Sequence, residues 1–128
     1  MKTLKTIVIA LILLIIPATS ISAPSIYVES LEDALSLSED TGIKVLAIFS
    51  ADWCSFCSKT KEDIRQNIKE YENVIIVYID IDEREDLKKE YKVKKIPDYM
   101  LLKKCKEIKR NVGYLNNHKL LEFIKDDK

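Results

Sequence analysis

Two short runs of consecutive apolar residues constrain the fold of this chain more than any other feature. Lys44–Ser50 contains Val45 to Phe49 without interruption, and Val74–Ile81 is rich in Val and Ile. Runs of this length without polar alternation are typical of strands buried on both faces, which occur in parallel and mixed sheets. The segment between them instead repeats at spacings of three and four residues, at Cys57, Thr60, Ile64, Ile68 and Tyr71. We therefore predict a strand, a helix from about Ser55, and a second strand.

The remaining segments extend this alternation in both directions. Ser25–Val28 is typical of a short edge strand, and Ser30 followed by Asp33 predicts the start of a helix. Asp82–Tyr91 is predicted to be helical because it is acidic in its first turn and basic later. Beyond it the sequence predicts two strands and a last helix, at Tyr99–Leu102, at Ile108–Val112 and from Asn116 or Asn117 onward. The predicted fold class is α/β, with a central mixed sheet flanked by helices on both faces.

The first 22 residues have the pattern of a secretory signal peptide. Lys2 and Lys5 precede ten apolar residues, Ile7–Ile16, and small residues follow Pro17. The alternative is an uncleaved membrane anchor over residues 7–23, although ten helical residues reach only about 15 Å of a roughly 30 Å hydrocarbon core. In both cases the two lysines keep the amino end inside. We therefore expect an extracytoplasmic domain over residues 24–128, periplasmic or secreted and, in the second case, anchored to the membrane.

Charge and composition exclude several classes of function. The chain has 21 Lys+Arg and 21 Asp+Glu, so we expect no one-signed basic surface and no nucleic-acid partner. Gly42 and Gly113 are the only two glycines, which excludes a Gly-rich phosphate loop. The three cysteines are too few for a disulfide scaffold. We also expect no cofactor.

Chemistry is concentrated in a Cys-x-x-Cys segment. Cys54 falls where the first buried strand gives way to the predicted helix, and Cys57 lies one turn inside that helix. Two intervening residues in a helical turn bring the sulfurs close enough to bond. The N–H groups at a helix N-terminus stabilise a thiolate at Cys54 and lower its pKa. This asymmetry suits thiol–disulfide exchange, in which an accessible nucleophile attacks and a shielded partner resolves the mixed disulfide.

The chain resembles the thioredoxin family over essentially all of the predicted exported region. Ala51–Cys57 is similar to that family's active-site segment. Ile96-Pro97 falls where the family carries its cis-proline, and Val112-Gly113 falls where it has a glycine before its last helix. The resemblance implies a thioredoxin-like fold and a thiol–disulfide oxidoreductase that exchanges disulfides with protein thiol or disulfide substrates.

The resemblance also implies roles for individual residues. Cys54 would be the nucleophile and Cys57 the resolving thiol, with their disulfide as the redox-active group. Pro97 would be a cis-proline beside them, and the backbone of Ile96 would pair with a substrate strand. An ordinary turn proline is the alternative for Pro97.

Several positions depart from the family's pattern. Ile48 stands where thioredoxins hold a buried aspartate, Tyr78 where they hold its partner lysine, and Glu62 where they have a helix-kinking proline. The lack of a histidine between the cysteines and the loss of the buried negative charge change the reduction potential in opposite directions. Ile96 before the proline resembles reducing thioredoxins and favours a reductase. An exported reductase implies a membrane thiol reductant conductor as a further partner.

Four more residues are candidates for the site. Asp52 and Asp98 are the carboxylates expected nearest the motif, and either would relay protons for the resolving thiol through water. The alternative is that both are solvated surface acids. Trp53 and Phe56 are expected to contact substrate, with a purely structural role as the alternative for Trp53.

Two other functions compete with redox exchange. A Cys₃His zinc site would use Cys54, Cys57, Cys105 and His118, but the last two are expected to be remote from the motif. Cys105 is predicted to be a spare thiol in a hairpin turn, and His118 a surface residue. The other rival is a thioredoxin-fold binding module with a static disulfide, which would show no turnover in a disulfide-reduction assay. We predict no metal site.

Overall fold

The computed structural model describes residues 23–125 of the chain. The predicted signal peptide, residues 1–22, therefore lies outside the described residues, as does all of the alternative anchor except Ala23. Within residues 23–125, no helix has both the length and the hydropathy needed to cross a bilayer.

Within residues 23–125, ten elements of secondary structure follow one another, in the predicted order apart from a 3₁₀ helix that the sequence did not predict. They are β1 (Ile26–Tyr27), α1 (Leu31–Thr41), β2 (Lys44–Ser50), α2 (Ser55–Gln66), a 3₁₀ helix (Ile68–Glu70), β3 (Val74–Asp80), α3 (Glu85–Glu90), β4 (Asp98–Lys103), β5 (Lys106–Val112) and α4 (Asn117–Lys125). The two apolar runs are both strands, as predicted.

The five strands form one mixed sheet in the order β1-β3-β2-β4-β5. β3 pairs in parallel with β1 and β2, whereas β4 pairs antiparallel with β2 and β5. β2 lies at the centre, and its residues Val45 to Ser50 are all buried. This burial on both faces explains why the strand lacks polar alternation. The predicted fold class is confirmed.

Helices cover both faces of the sheet and close two apolar cores. On one face, α1 and α3 contribute Leu31, Ala34 and Leu87 to a cluster with Val45, Ala47 and Phe49. On the other face, α2 and α4 contribute Ile64, Leu120, Leu121 and Ile124 to a cluster with Leu46 and Ile48. Successive residues of β2 point to opposite faces, so this one strand supplies both cores and fixes the position of its carboxyl end, Ser50.

Local hydrogen bonds explain where two helices begin. Ser30 Oγ accepts from the backbone N–H of Asp33 at 3.1 Å, which caps α1 as predicted. The predicted start of α3 at Asp82 is wrong by three residues. Asp80 Oδ1 accepts from the N–H of Asp82 at 2.8 Å, and the Asp80 carbonyl accepts from the N–H of Arg84 at 2.9 Å. These bonds form a turn after β3, and the helix starts only at Glu85.

Candidate active site

Cys54 caps the amino end of α2 and forms a disulfide with Cys57. Its backbone is extended, so that its sulfur lies over the first turn of the helix. The backbone N–H of Cys57 donates to Cys54 Sγ at 3.2 Å. A donor in this position, together with the helix dipole, stabilises negative charge on Cys54 Sγ once the disulfide is reduced.

The two cysteines differ little in exposure in this disulfide form. Cys54 is 8% exposed and Cys57 is 5% exposed. The sequence predicts an accessible and a shielded sulfur, but both residues are buried here. The asymmetry between them therefore comes from their positions at the helix end, since only Cys54 caps it.

The loop before β4 carries the cis-proline. The Ile96–Pro97 peptide bond is cis, as the resemblance implies. The Pro97 carbonyl accepts from the N–H of Gly113 at 2.8 Å, so this loop is bonded to the segment that leads into α4. Gly113 has φ +101°, a conformation that an L-residue rarely adopts. Pro97 is buried, whereas Ile96 is half-buried.

Two aromatic side chains next to the cysteines are exposed. Trp53 is 69% exposed, and its indole Nε1 donates to Asp82 Oδ2 at 2.8 Å. Phe56 is 58% exposed, and its ring centroid lies 5.4 Å from that of Tyr114. Both rings are fixed on one side and free on the other, which is the arrangement of a contact surface.

A polar cavity of about 250 Å³ adjoins Cys57, and we call it the Cys57 cavity. Its polar lining is Ser50, Asp52, Ser58, Lys61, Asp80 and Glu83. The ring of Tyr78 also lines it, with Lys61 Nζ 5.0 Å from the ring centroid. The cavity therefore contains three carboxylates and one ammonium group beside the predicted resolving thiol.

Ile48 is the neighbour of Tyr78 in the sheet, on β2, although it does not itself line this cavity. It is fully buried and pairs in register with Tyr78. The two positions at which the chain departs from the thioredoxin pattern are thus adjacent. Burial raises the pKa of Tyr78 far above its ordinary value, so this tyrosine remains neutral near pH 7. Neither Ile48 nor Tyr78 carries a charge near pH 7, and the next carboxylate along β3 is two residues further on, at Asp80.

The structure separates the two predicted proton-relay residues. Asp52 lines the Cys57 cavity, but Asp98 does not. Asp98 is 1% exposed, and its carboxylate accepts from Arg110 Nε at 3.0 Å and from Nη2 at 2.6 Å. Asp98 pairs in register with Phe49, which places it on the sheet face covered by α1 and α3. The expectation that Asp98 is a solvated or motif-facing acid is therefore corrected: it forms a buried ion pair.

Sequence reasoning missed several residues of the site. Asp80 and Asp82 follow β3 just as Asp52 follows β2, and the carboxyl ends of parallel neighbours meet at the same sheet edge. That rule would have placed both carboxylates near the cysteines. Lys61 is four residues after Cys57 on α2 and therefore shares its helix face. The sequence contains no such signal for Tyr114, because its contact with Phe56 depends on the path of the segment that leads into α4.

The other two candidate zinc ligands lie away from the disulfide. Cys105 is an exposed free cysteine in the β4–β5 turn, beside the amino end of β2, whereas Cys54 follows the carboxyl end of that strand. Roughly 20 Å of strand separates those ends. A hydrogen bond with Glu39 raises the pKa of the Cys105 thiol above its ordinary value. His118 is exposed on α4, and no group of three or more potential metal ligands occurs within residues 23–125.

Comparison with known proteins identifies the family. The sequence model of the thioredoxin family matches residues 28–126. A thioredoxin H-type of Fagopyrum esculentum is 28% identical over 86 residues, which cover 67% of this chain and 74% of that protein. A thioredoxin of Geodia cydonium is 30% identical over 91 residues, covering 70% and 86% respectively.

A solved structure gives the same result. The crystal structure of thioredoxin NaTrxh from Nicotiana alata has a TM-score of 0.67 and 26% identity, covering 87% of this chain and 99% of that one. The residues that the family model matches contain the disulfide, the cis-proline and Gly113 in the order described above. This chain therefore belongs to the thioredoxin family and is a thiol–disulfide oxidoreductase that acts on protein disulfides through its Cys-x-x-Cys pair.

Proposed function

We propose that the protein is an extracytoplasmic thiol–disulfide reductase in which Cys54 is the nucleophile and Cys57 the resolving thiol. The observation that supports this assignment most directly is the position of Cys54 at the helix cap, with the Cys57 N–H donating to its sulfur. Such a donor stabilises a thiolate at Cys54, and among residues 23–125 no corresponding donor to Cys57 Sγ occurs.

The reaction transfers two electrons to the substrate. The Cys54 thiolate attacks one sulfur of a substrate disulfide, forms a mixed disulfide and displaces the first substrate thiolate. The Cys57 thiol then loses its proton, and its thiolate attacks Cys54 Sγ. The Cys54–Cys57 disulfide forms and the second substrate thiolate leaves. Asp52 is the proposed acceptor of the Cys57 proton, through water in the Cys57 cavity.

Several features of the sequence support a reducing direction and an extracytoplasmic location. Ile96 precedes the cis-proline, as in reducing thioredoxins, and this supports the reducing direction. Residues 1–22 have the order of basic, apolar and small residues that is typical of a signal peptide, with an uncleaved anchor over residues 7–23 as the alternative. A reductase in that location needs electrons from across the membrane, and a membrane thiol conductor is the proposed source.

Two measurements test the proposed direction. With dithiothreitol as electron donor, the protein should catalyse the reduction of insulin disulfides, whereas a binding module would give only the uncatalysed rate. The reduction potential of the cysteine pair should lie nearer about −270 mV, typical of reducing thioredoxins, than about −120 mV, typical of a strong oxidant. A value at the oxidising end would overturn the reductase assignment. Cell fractionation and N-terminal mapping would test the export.

The role of each thiol is tested by alkylation of the reduced protein. Cys54 should be labelled first at mildly acidic pH, because only a thiol with a depressed pKa is substantially ionised there. Cys105 serves as an internal control, since it is exposed but its pKa is raised. Preferential labelling of Cys57 would reverse the assignment.

A further inference from the structure

A second hollow, beside Trp53, carries the opposite charge from the Cys57 cavity. It has a volume of about 420 Å³, and we call it the lysine groove. Its apolar lining is Trp53, Ile81 and Ile96, and its charged lining is Asp82, Lys88, Lys94 and Lys95. Three ammonium groups thus lie around an apolar surface that contains a residue next to Cys54 and a residue next to Pro97.

The positive charge of this groove is available to a ligand. Asp82, its one carboxylate, accepts the hydrogen bond from the Trp53 indole. Within residues 23–125 none of the three groove lysines forms an ion pair, whereas Lys59 pairs with Asp63 and Lys89 with Glu85. The chain as a whole has no net charge. The concentration of unpaired ammonium groups is therefore a local property of the groove.

We propose that the lysine groove binds an acidic segment of the substrate polypeptide, so that the protein selects disulfides flanked by Asp or Glu. This inference rests on the proposed function, because it assigns the class of substrate that Cys54 attacks. A polypeptide whose disulfide reaches Cys54 passes Trp53 and Ile96, and its flanking side chains then lie beside Lys94 and Lys95. Apolar contact with the indole and charge complementarity with the lysines act together there.

The expected preference is moderate and depends on salt. Each exposed ion pair contributes little, so two or three of them together should favour an acidic over a basic flank by about tenfold in kcat/KM. Charges at the surface are screened over about 10 Å at 0.1 M salt, so the preference should shrink as salt is added. A neutral peptide would be bound through apolar contacts with Trp53 and Ile96, so its turnover should not depend on salt.

The experiment compares three disulfide peptides that differ only in acidic, neutral or basic flanking residues. Their reduction is measured with the wild type, with Lys94→Glu/Lys95→Glu, and with a control, Lys103→Glu/Lys106→Glu. The control makes the same change in net charge at exposed positions in β4 and β5, beside the Cys105 turn. Binding of the same peptides with serine in place of cysteine is followed separately through the fluorescence of Trp53, the one tryptophan of the chain.

The results separate this inference from the proposed function. We expect the groove variant to lose or reverse the preference for the acidic peptide in both assays, and the control to keep it. Equal kcat/KM and equal binding of the three peptides by the wild type would overturn the inference and leave the reductase assignment standing. So would a control that changes as much as the groove variant. Absence of reduction of every peptide, with the binding preference intact, would instead overturn the proposed function.

Discussion

The two hollows that adjoin the active-site segment have opposite composition. The Cys57 cavity is lined by three carboxylates and one ammonium group, whereas the lysine groove is lined by three ammonium groups and one carboxylate. The cavity adjoins the sulfur that lies inside the helix. The groove adjoins Trp53, the residue before the sulfur that caps the helix.

This difference fits the two roles proposed for Cys54 and Cys57. Ammonium groups favour a thiolate, and carboxylates disfavour one while offering a place for its proton. The groove thus suits a nucleophile that meets substrate, and the cavity suits a thiol that must first be deprotonated. This separation of charge does not involve a buried aspartate at position 48, where the chain has the fully buried Ile48 paired in register with Tyr78.

Replacing each cysteine should have the largest effect and tests whether the two sulfurs differ. Cys57→Ser should accumulate a mixed disulfide with substrate, because resolution requires a thiolate and a serine hydroxyl cannot replace it in the attack on Cys54 Sγ. Cys54→Ser should abolish turnover and trap nothing. Mass spectrometry of substrate adducts under non-reducing conditions measures both. Cys105→Ser is the control and should behave as the wild type; adducts on Cys57 in the Cys54→Ser variant would contradict the assigned roles.

A carboxylate at position 48 should place a charge in the sheet, where Ile48 and Tyr78 now carry none. Ile48→Asp should lower the free energy of unfolding by about 3 kcal/mol or more, since it exchanges a fully buried apolar side chain for a group that is costly to desolvate. It should also add a titration coupled to the thiols and speed resolution of the mixed disulfide.

The measurements are denaturant unfolding and a pH series of resolution rates. Ile48→Val is the matched control, with a loss of about 1 kcal/mol and an unchanged pH profile. If Ile48→Asp left both the unfolding free energy and the rate profile unchanged, residue 48 would be neither buried nor coupled to the thiols.

Replacing Asp98 should change the free energy of unfolding and not the rate at which the mixed disulfide is resolved. Asp98→Asn leaves the Arg110 guanidinium without its anionic partner, and we expect the free energy of unfolding to fall by about 2 kcal/mol because Arg110 keeps some access to water. The rate of mixed-disulfide resolution should stay within twofold of the wild type, since Asp98 does not line the cavity. A large rate change with unchanged stability would return Asp98 to the role that the sequence suggested.

Asp52 should show the opposite behaviour. Asp52→Asn removes a carboxylate from the Cys57 cavity, so resolution should slow by about tenfold near pH 7. The free energy of unfolding of this variant should change by less than about 0.5 kcal/mol, because Asp52 is exposed. Stopped-flow measurement of substrate release gives the rate. An unchanged rate would indicate that the proton leaves Cys57 by another route.

The sequence predicted those parts of the molecule that depend on near neighbours along the chain. The buried strands, the cap at Ser30 and the cysteine pair each lie within a few residues of the pattern that reveals them. The Asp98–Arg110 pair could not be predicted, since it depends on the register of β4 against β5, which shifts between Leu101 and Leu102. The lysine groove was also missed, because the turn after β3 and the loop before β4 are separated along the chain and meet only in the folded structure.

Removing a surface ion pair on α2 should have the smallest effect. It tests whether part of the loss of stability in acid arises on the surface of α2 and not at the disulfide. Hydrogen bonds from Arg65 and, next, from Gln66 lower the pKa of Glu62 to about 2 from its ordinary 4.5. A depressed carboxyl pKa gives stability that is complete above about pH 4.5 and is lost as the pH falls towards 2. Arg65→Gln should raise the Glu62 pKa towards its ordinary value and flatten this part of the pH–stability curve. Carboxyl NMR titration measures the pKa, and an unshifted Glu62 in the wild type would show that the pair does not persist in water.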